Sequence, residues 1–361
     1  MPLNHYVSLG RSGLRVSPLC LGTMTFGEEL GWGTSEAVAG EILDRYLDLG
    51  GNFVDTANFY TKGHSEKILG DRLGAHPRRR QRVVLATKFF SNLFPGDPNG
   101  GGAGRKAIHA QLEESLRRLR TDYVDLYWMH AWDRFTPIEE TLRTLDDLVR
   151  AGKVRYVGFS DTPAWKVAQA QTLATLKGWT PLVALQVEYS LLERTVEAEL
   201  IPAARDLGLG VTPWSPLKSG VLSGKYTRAS RGASKADRGE WVTASLTDKA
   251  YDVVDVLAAV AKELGSTPAR VALAWVQAQP GVSSSILGAR TVAQLEDNLG
   301  ALDVVLTADQ RARLDAVSAV PLAFPHAFLQ FASAVAYGGT TVDGETFPAL
   351  PLAPQSYSDR H

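Results

Sequence analysis

Four residues stand where apolar runs give way to turns. Asp55 follows Phe53-Val54, and Tyr60 comes five positions later. Lys88 follows Val83-Val84-Leu85-Ala86-Thr87, and His130 follows Tyr123-Val124-Asp125-Leu126-Tyr127-Trp128-Met129. This set suits the reduction of a carbonyl, in which a proton reaches oxygen while hydride adds to carbon. A free phenol has a pKa of about 10, too high for an effective acid near neutral pH. A neighbouring cation lowers it. Lys88 is expected to be that cation, Asp55 to hold the ammonium in place and charged, and His130 to orient the carbonyl by a hydrogen bond. Singly, Asp55 reads as a turn cap, Lys88 as a solvated charge and Tyr60 as a half-buried aromatic. At successive strand ends, they point to convergence on one carbonyl group.

The elements that must position them alternate. Segments 6–9 and 14–16 flank Gly10-Arg11-Ser12-Gly13 in a hairpin pattern. Leu19-Cys20-Leu21 is the first barrel strand and ends at Gly22-Thr23. Thr34 or Ser35 caps a helix with Val38, Ile42, Tyr46 and Leu49 at helical spacing. After the Phe53 strand, strands are expected over 83–87, 123–129, 154–159, 182–187, 209–212 and 282–287. Helices are expected over 65–73, 106–119, 137–149, 193–207, 271–277 and 292–299, with another opening at Pro163. Such alternation means a parallel α/β sheet, and eight units predict closure into a barrel. Chemistry then belongs at the carboxyl ends of the strands. A dinucleotide fold would need GxGxxG after the first strand, where the chain has Gly22-Thr23-Met24-Thr25-Phe26-Gly27. Segments 89–104, 226–241 and 320–361 fall outside the alternation; the first and last are expected to shape a pocket mouth.

Bulk properties narrow the partners. A net charge of -1 gives no footprint for nucleic acid or a membrane surface. Cys20 is the only cysteine, so no internal disulfide or CxxC site exists. The seven histidines show no metal-binding spacing, and no metal is expected. Met1 to Arg15 has no apolar core of signal-peptide length, and no window approaches the ~18–20 apolar residues of a spanning helix. A cytoplasmic location is expected, and nothing indicates an oligomer. Asp122 and Asp125 read as ion partners, His64 and His109 as solvent-facing, and Arg78-Arg79-Arg80 with Arg82 as a solvated turn.

The Asp55-to-Tyr60 interval, the Thr-Lys ending at Lys88 and the Tyr-Trp-Met-His ending at His130 resemble the aldo-keto reductase superfamily, from about Val7 to Leu302. Its bacterial members include reductases of aryl aldehydes and of keto-sugars. The resemblance implies one (β/α)8 TIM-barrel domain over 1–361, with an N-terminal β-hairpin cap, the barrel at about 17–302 and a C-terminal extension over 320–361. It implies NADPH/NADP+ as cofactor, Tyr60 as proton donor, Asp55 and Lys88 as its tuners, and His130 as the residue that positions a small carbonyl substrate. Ser160, Asp161 and Gln186 match the contacts to the nicotinamide carboxamide, although Asn is frequent where Asp161 stands. Trp214 matches the ring-stacking aromatic. Gly22, Thr23 and Met24 join the cofactor set, with Ser215, Leu217, Ser219 and Lys225 over the pyrophosphate. Gly288, Arg290, Gln294 and Asn298 match the adenosine and 2'-phosphate end, where Arg290 favours NADP. Trp32, Phe59, Phe90, Trp132 and Phe324 are candidate pocket walls for an apolar carbonyl. Two other readings remain: an NADPH-binding regulatory subunit, as in channel-associated relatives, and a Schiff-base lyase using Lys88.

Overall fold

A computed structural model of the protein describes residues 1–230, 240–351, 353–354 and 358. The chain opens with an antiparallel hairpin of β1 (Val7–Ser8) and β2 (Arg15–Val16). Eight parallel strands follow: β3 (Leu19–Gly22), β4 (Phe53–Asp55), β5 (Val84–Phe89), β6 (Val124–Met129), β7 (Val154–Ser160), β8 (Leu182–Glu188), β9 (Gly210–Trp214) and β10 (Ser285–Leu287). They pair in chain order from β3 to β9, and β10 returns to pair with β3. A parallel bridge from Val211 to Val282 nearly completes the ring. This is the (β/α)8 barrel that the alternation predicts.

The two-residue period of a strand sorts its side chains. Cys20, Phe53, Val84, Ala86, Leu126, Trp128, Ala184 and Ile286 form one inner cluster. Leu9 and Val16 join it, so the hairpin plugs the end where the strands begin. Leu21, Val54, Leu85 and Tyr127 point the other way, into the layer shared with the helices. Asp55 follows the parity of Phe53, and Lys88 that of Val84 and Ala86, so both face inward. The inner space is tight. A Cβ on Gly158 would collide with the Trp128 ring, which is why a glycine stands there.

Register brings the strand ends level: Gly22 pairs with Asp55, Lys88 with Trp128, Ser160 with Gln186, and Glu188 with Trp214. The helices hold this register from outside. Ser35 caps the helix Glu36–Asp48, accepting from the Val38 N–H. From that helix the buried Tyr46 hydroxyl lies 2.8 Å from the Leu19 carbonyl and accepts the Phe53 N–H at 3.2 Å, tying β3 to β4.

Several elements differ from expectation. The segment 193–207 is broken into a 3-10 turn, Thr195–Glu197, and a short helix, Leu200–Asp206. Starting the helix at Leu200 puts Pro202 in the first turn, where its missing N–H costs nothing. Helices outside the expected set include Asp248–Glu263 and Ala308–Ser318. The first carries its own signal: Thr247 caps Ala250 N–H, and Val253, Val254, Leu257, Val260 and Ala261 are buried at helical spacing. Arg80 is not solvated. It is buried against Tyr123 and donates to the carbonyls of Val83 and Tyr123, with Asp125 at 2.7 Å. His64 pairs with Glu29 at 2.5 Å rather than standing free. Of the polar segment 226–241, residues 231–239 lie outside the described residues.

The chain divides into two compact units, Met1–Ser318 and Ala319–His361. The second holds a helix, His326–Tyr337, and a hairpin pairing Thr341–Val342 with Glu345–Thr346, where sequence suggested only an extension. Among the described residues no helix is long and apolar enough to cross a membrane, and no group of His, Cys, Asp or Glu could hold a metal ion. Tyr46→Phe should cost about 1–3 kcal/mol, since it strips a buried N–H and a buried carbonyl of their shared partner. Urea unfolding measures this, and an unchanged midpoint would show that the hydroxyl does not tie the strands.

Candidate active site

The site is built at the carboxyl ends of the strands. β4 delivers Asp55, and β5 runs one residue beyond Lys88, so that both sit within strands rather than after them. Both are buried. Lys88 Nζ donates to Asp55 Oδ1, to the Thr56 carbonyl at 2.9 Å and to the Tyr60 hydroxyl oxygen at 3.1 Å. An ammonium has three N–H bonds, and all three are used. Gln186 from β8 donates to the other Asp55 oxygen at 3.3 Å. Tyr60 is brought back over Lys88 by a 3-10 turn, Tyr60–Gly63, in which Thr61 and Lys62 take positive φ.

His130 leaves the end of β6, held by its N–H to the Phe89 carbonyl at 3.0 Å. Its ring stands edge-on to Tyr60, centroids 6.0 Å apart, with Phe59 at 5.3 Å. Its Nδ1 is buried and has no hydrogen-bond partner among the described residues.

Electrostatics follow from burial. Burial works against the Lys88 charge, but Asp55 and Tyr60 outweigh it and push the pKa up to about 12. Burial also raises Asp55, opposed by the Lys88 ammonium and then Gln186. His130 is pushed well below the ordinary imidazole range by burial and then by the Lys88 charge, so it is neutral at neutral pH. Tyr60 runs against the sequence expectation. Lys88 does pull its pKa down, but burial pushes harder, and the net direction is up.

A cavity of about 840 Å³ opens above this cluster. Asp55, Tyr60 and His130 line its floor with Phe59, while Lys88 lies behind them. Of the expected cofactor residues, Gly22, Met24, Ser160, Asp161, Gln186, Trp214, Ser215, Leu217, Ser219, Lys225, Gly288, Arg290, Gln294 and Asn298 all line the cavity. Thr23 does not. It is buried, with its hydroxyl donating to the Asp55 carbonyl at 3.1 Å and accepting from Ser65 at 2.8 Å. Trp32, Phe90 and Trp132 are also outside the cavity wall; Trp132 packs on Trp165 with ring centroids 5.5 Å apart. No residue of the loop 89–104 lines it, and Phe324 belongs to the second unit. Residues that sequence did not single out do line it, among them Glu188 and Lys218, which pair at 2.8 Å.

The wall has features a ligand could satisfy. The Ser160 hydroxyl is buried and, apart from its approach to the Asp161 carboxylate, has no hydrogen-bond partner among the described residues. Trp214 Nε1 donates to Asp161 Oδ1 at 3.0 Å. Asn298 Nδ2 donates to the Gly288 carbonyl at 3.3 Å, and Gln294 Oε1 accepts the Arg290 N–H at 2.9 Å, fixing the loop before the helix Val292–Leu299. Ser215, Lys218 and Ser219 all adopt positive φ, a concentration of backbone strain typical of binding loops.

A parallel barrel with a buried polar cluster and a cavity at its carboxyl face has the layout of a barrel enzyme. Comparison with known proteins gives the family. The sequence model of the Aldo/keto reductase family matches residues 18–319, and the chain belongs to that family of oxidoreductases. It is 44% identical over 311 residues to an uncharacterised oxidoreductase of Bacillus subtilis, covering 84% of this chain and 92% of the relative. It is 37% identical to an aryl-alcohol dehydrogenase of Pestalotiopsis microspora, over 91% of this chain and 85% of the relative. It is 39% identical to a probable voltage-gated potassium channel subunit beta of Oryza sativa subsp. japonica, over 87% and 96%. Carbonyl reduction is the general chemistry these matches support.

The neutrality of His130 is directly testable. In NMR spectra of imidazole-labelled protein its ring should protonate only well below the ordinary histidine range. Titration near the ordinary histidine value of about 6.5 would contradict the burial argument.

Proposed function

We propose that the protein reduces an aldehyde or ketone to the alcohol, with NADPH as hydride donor and Tyr60 as proton donor. One observation carries this: the Lys88 ammonium donates to the Tyr60 oxygen. An ammonium cannot accept, so the phenol's own hydrogen is left for a ligand in the cavity. When Tyr60 gives that proton to a nascent alkoxide, the phenolate left behind has a cation 3.1 Å away. The free-protein pKa of Tyr60 is therefore not the quantity that matters; the ammonium acts most strongly once negative charge has formed. Neutral His130 can donate one N–H to the same substrate oxygen and orient it. Asp55 keeps Lys88 protonated throughout, which also opposes a Schiff-base role for that amine.

NADPH supplies the hydride when bound. The buried Ser160 hydroxyl, with Gln186 and Asp161, suits a carboxamide. Trp214 offers a flat face for the ring. Arg290, beside the start of the helix Val292–Leu299, offers a fork of donors to a 2'-phosphate. The aromatic floor residue Phe59 and the aryl-alcohol dehydrogenase relative favour aromatic carbonyls as first substrates. The channel-subunit relative favours a second reading, a cofactor-binding regulatory subunit. The complete cluster of Asp55, Tyr60, Lys88 and His130 favours turnover over that role.

NADPH absorbance with a panel of aromatic aldehydes tests the reading, and absence of turnover with tight NADPH binding would favour the regulatory one. Tyr60→Phe should lower kcat by about 10²–10⁴-fold and leave the Kd for NADPH within about twofold. Lost cofactor affinity instead would mean Tyr60 serves binding. Arg290→Ala should weaken NADPH by about tenfold or more and change NADH little. Equal weakening of the two would remove Arg290 from the 2'-phosphate.

A further inference from the structure

The cavity wall carries four carboxylates: Asp55, Asp161, Glu188 and Asp297. Three are matched by a cation. Asp55 has Lys88, Glu188 has Lys218 at 2.8 Å, and Asp297 has Arg270 at 2.8 Å. Asp161 has none among the described residues. Its one strong side-chain partner is the Trp214 indole N–H at 3.0 Å. Its backbone is equally committed: φ is 42°, and its N–H is held by the Gln186 carbonyl at 3.1 Å. Its side chain is open to the cavity, and a carboxylate there with no ion-paired partner among the described residues offers its charge to a ligand that displaces the solvent.

We propose that Asp161 is a charge-selecting residue, whose carboxylate favours the oxidised, positively charged nicotinamide ring over the neutral reduced one. This rests on the cofactor reading above and deepens it. Trp214 is the residue proposed to stack on that ring, and the carboxylate sits at the edge of the same indole. Whether the ring is charged or neutral changes nothing for Ser160, Gln186 or the carboxamide. It matters only to a group that carries charge.

The groups around Asp161 set when that charge is present. The surrounding protein and the Glu188 charge raise its pKa, the Trp214 N–H and Lys88 lower it, and the balance stands at about 6. Tyr60 also senses the Asp161 charge. Above that pH the carboxylate is ionised and the preference for the oxidised ring is present. As pH falls through it, the carboxyl becomes neutral and the preference is lost. Binding of a cationic ring holds the proton off to lower pH, as linkage requires.

The test uses the whole protein and two probes, NADP+ and NADPH, with Kd values from calorimetry at about pH 8 and about pH 5.5. Both carry the same phosphates, so phosphate ionisation cancels in the ratio of their affinities. In the unaltered protein the affinity ratio, NADP+ over NADPH, should fall by about twofold to threefold on acidification, because about a quarter of the carboxyl stays ionised half a unit below a pKa of about 6 and part of a fivefold to tenfold charge preference survives. Asp161→Asn should show the low ratio already at the higher pH and no pH dependence. Trp214→Phe keeps a flat ring but removes the N–H, so the fall in ratio should begin at higher pH. An Asp161→Asn ratio equal to that of the unaltered protein at the higher pH overturns the proposal, even if both dinucleotides bind more weakly. Failure of the unaltered protein to bind either dinucleotide overturns the cofactor reading and this inference with it.

Discussion

An ammonium with no exposure to solvent is the constraint on which the site depends. Moving a lysine charge out of water costs several kcal/mol even after relaxation. Lys88 is tolerable inside the barrel because each of its N–H bonds meets an oxygen: a carboxylate, a backbone carbonyl and a phenol. Each oxygen arrives by a separate structural decision. Asp55 comes from the neighbouring strand, paired with Ala86 two residues before Lys88, Thr56 from the turn that follows, and Tyr60 from the segment just before two left-handed residues, Thr61 and Lys62. The cluster is thus a stability requirement in its own right, whatever chemistry is proposed for it. An unsatisfied ammonium would destabilise the barrel, and satisfying it fixes the Tyr60 hydroxyl oxygen 3.1 Å from Lys88 at the cavity floor.

The electrostatics of the cluster are a contest between burial and pairing. For Lys88 the pairing wins and the charge is retained; for His130 nothing opposes burial and the ring is neutral. Tyr60 is the instructive case. A cation beside a phenol lowers its pKa in water-like surroundings, yet here the low-polarity surroundings dominate the resting state. Solvent exclusion then makes the interaction of the ammonium with a phenolate strong when that charge appears.

The rim follows a different rule from the floor. Asp55 of the floor lies on a strand and His130 directly after one, whereas much of the rim is irregular backbone, with positive φ at Asp161, Ser215, Lys218 and Ser219. Charges there are paired across elements, Glu188 of β8 with Lys218 of the following loop and Asp297 with Arg270. Asp161 is the exception, and a wall that neutralises its other carboxylates makes that exception chemically pointed.

How much of this was legible in the chain can be traced residue by residue. The strand positions of Asp55 and Lys88 were readable because alternation and apolar runs are local, and local signals survive without a partner. So was the helix Val292–Leu299, with its Thr291 cap. The helix Asp248–Glu263 carries an equally local signal in its Thr247 cap and apolar spacing, beside a polar stretch. Arg80 could not be read as buried, since Tyr123 and Asp125 reach it from more than forty positions away. Nor could the aromatic walls: Trp32, Phe90 and Trp132 have the right composition for a pocket, but only packing decides which ring faces a cavity. The amino-acid order by itself determined an eight-fold β/α alternation and the placement of an acid, a phenol, an amine and an imidazole near strand ends. Tertiary structure alone decided which of those groups touch, which carboxylate lacks a cation and which way burial moves each proton, because these depend on distances across the barrel and on the exclusion of water, and neither is a property of neighbouring residues.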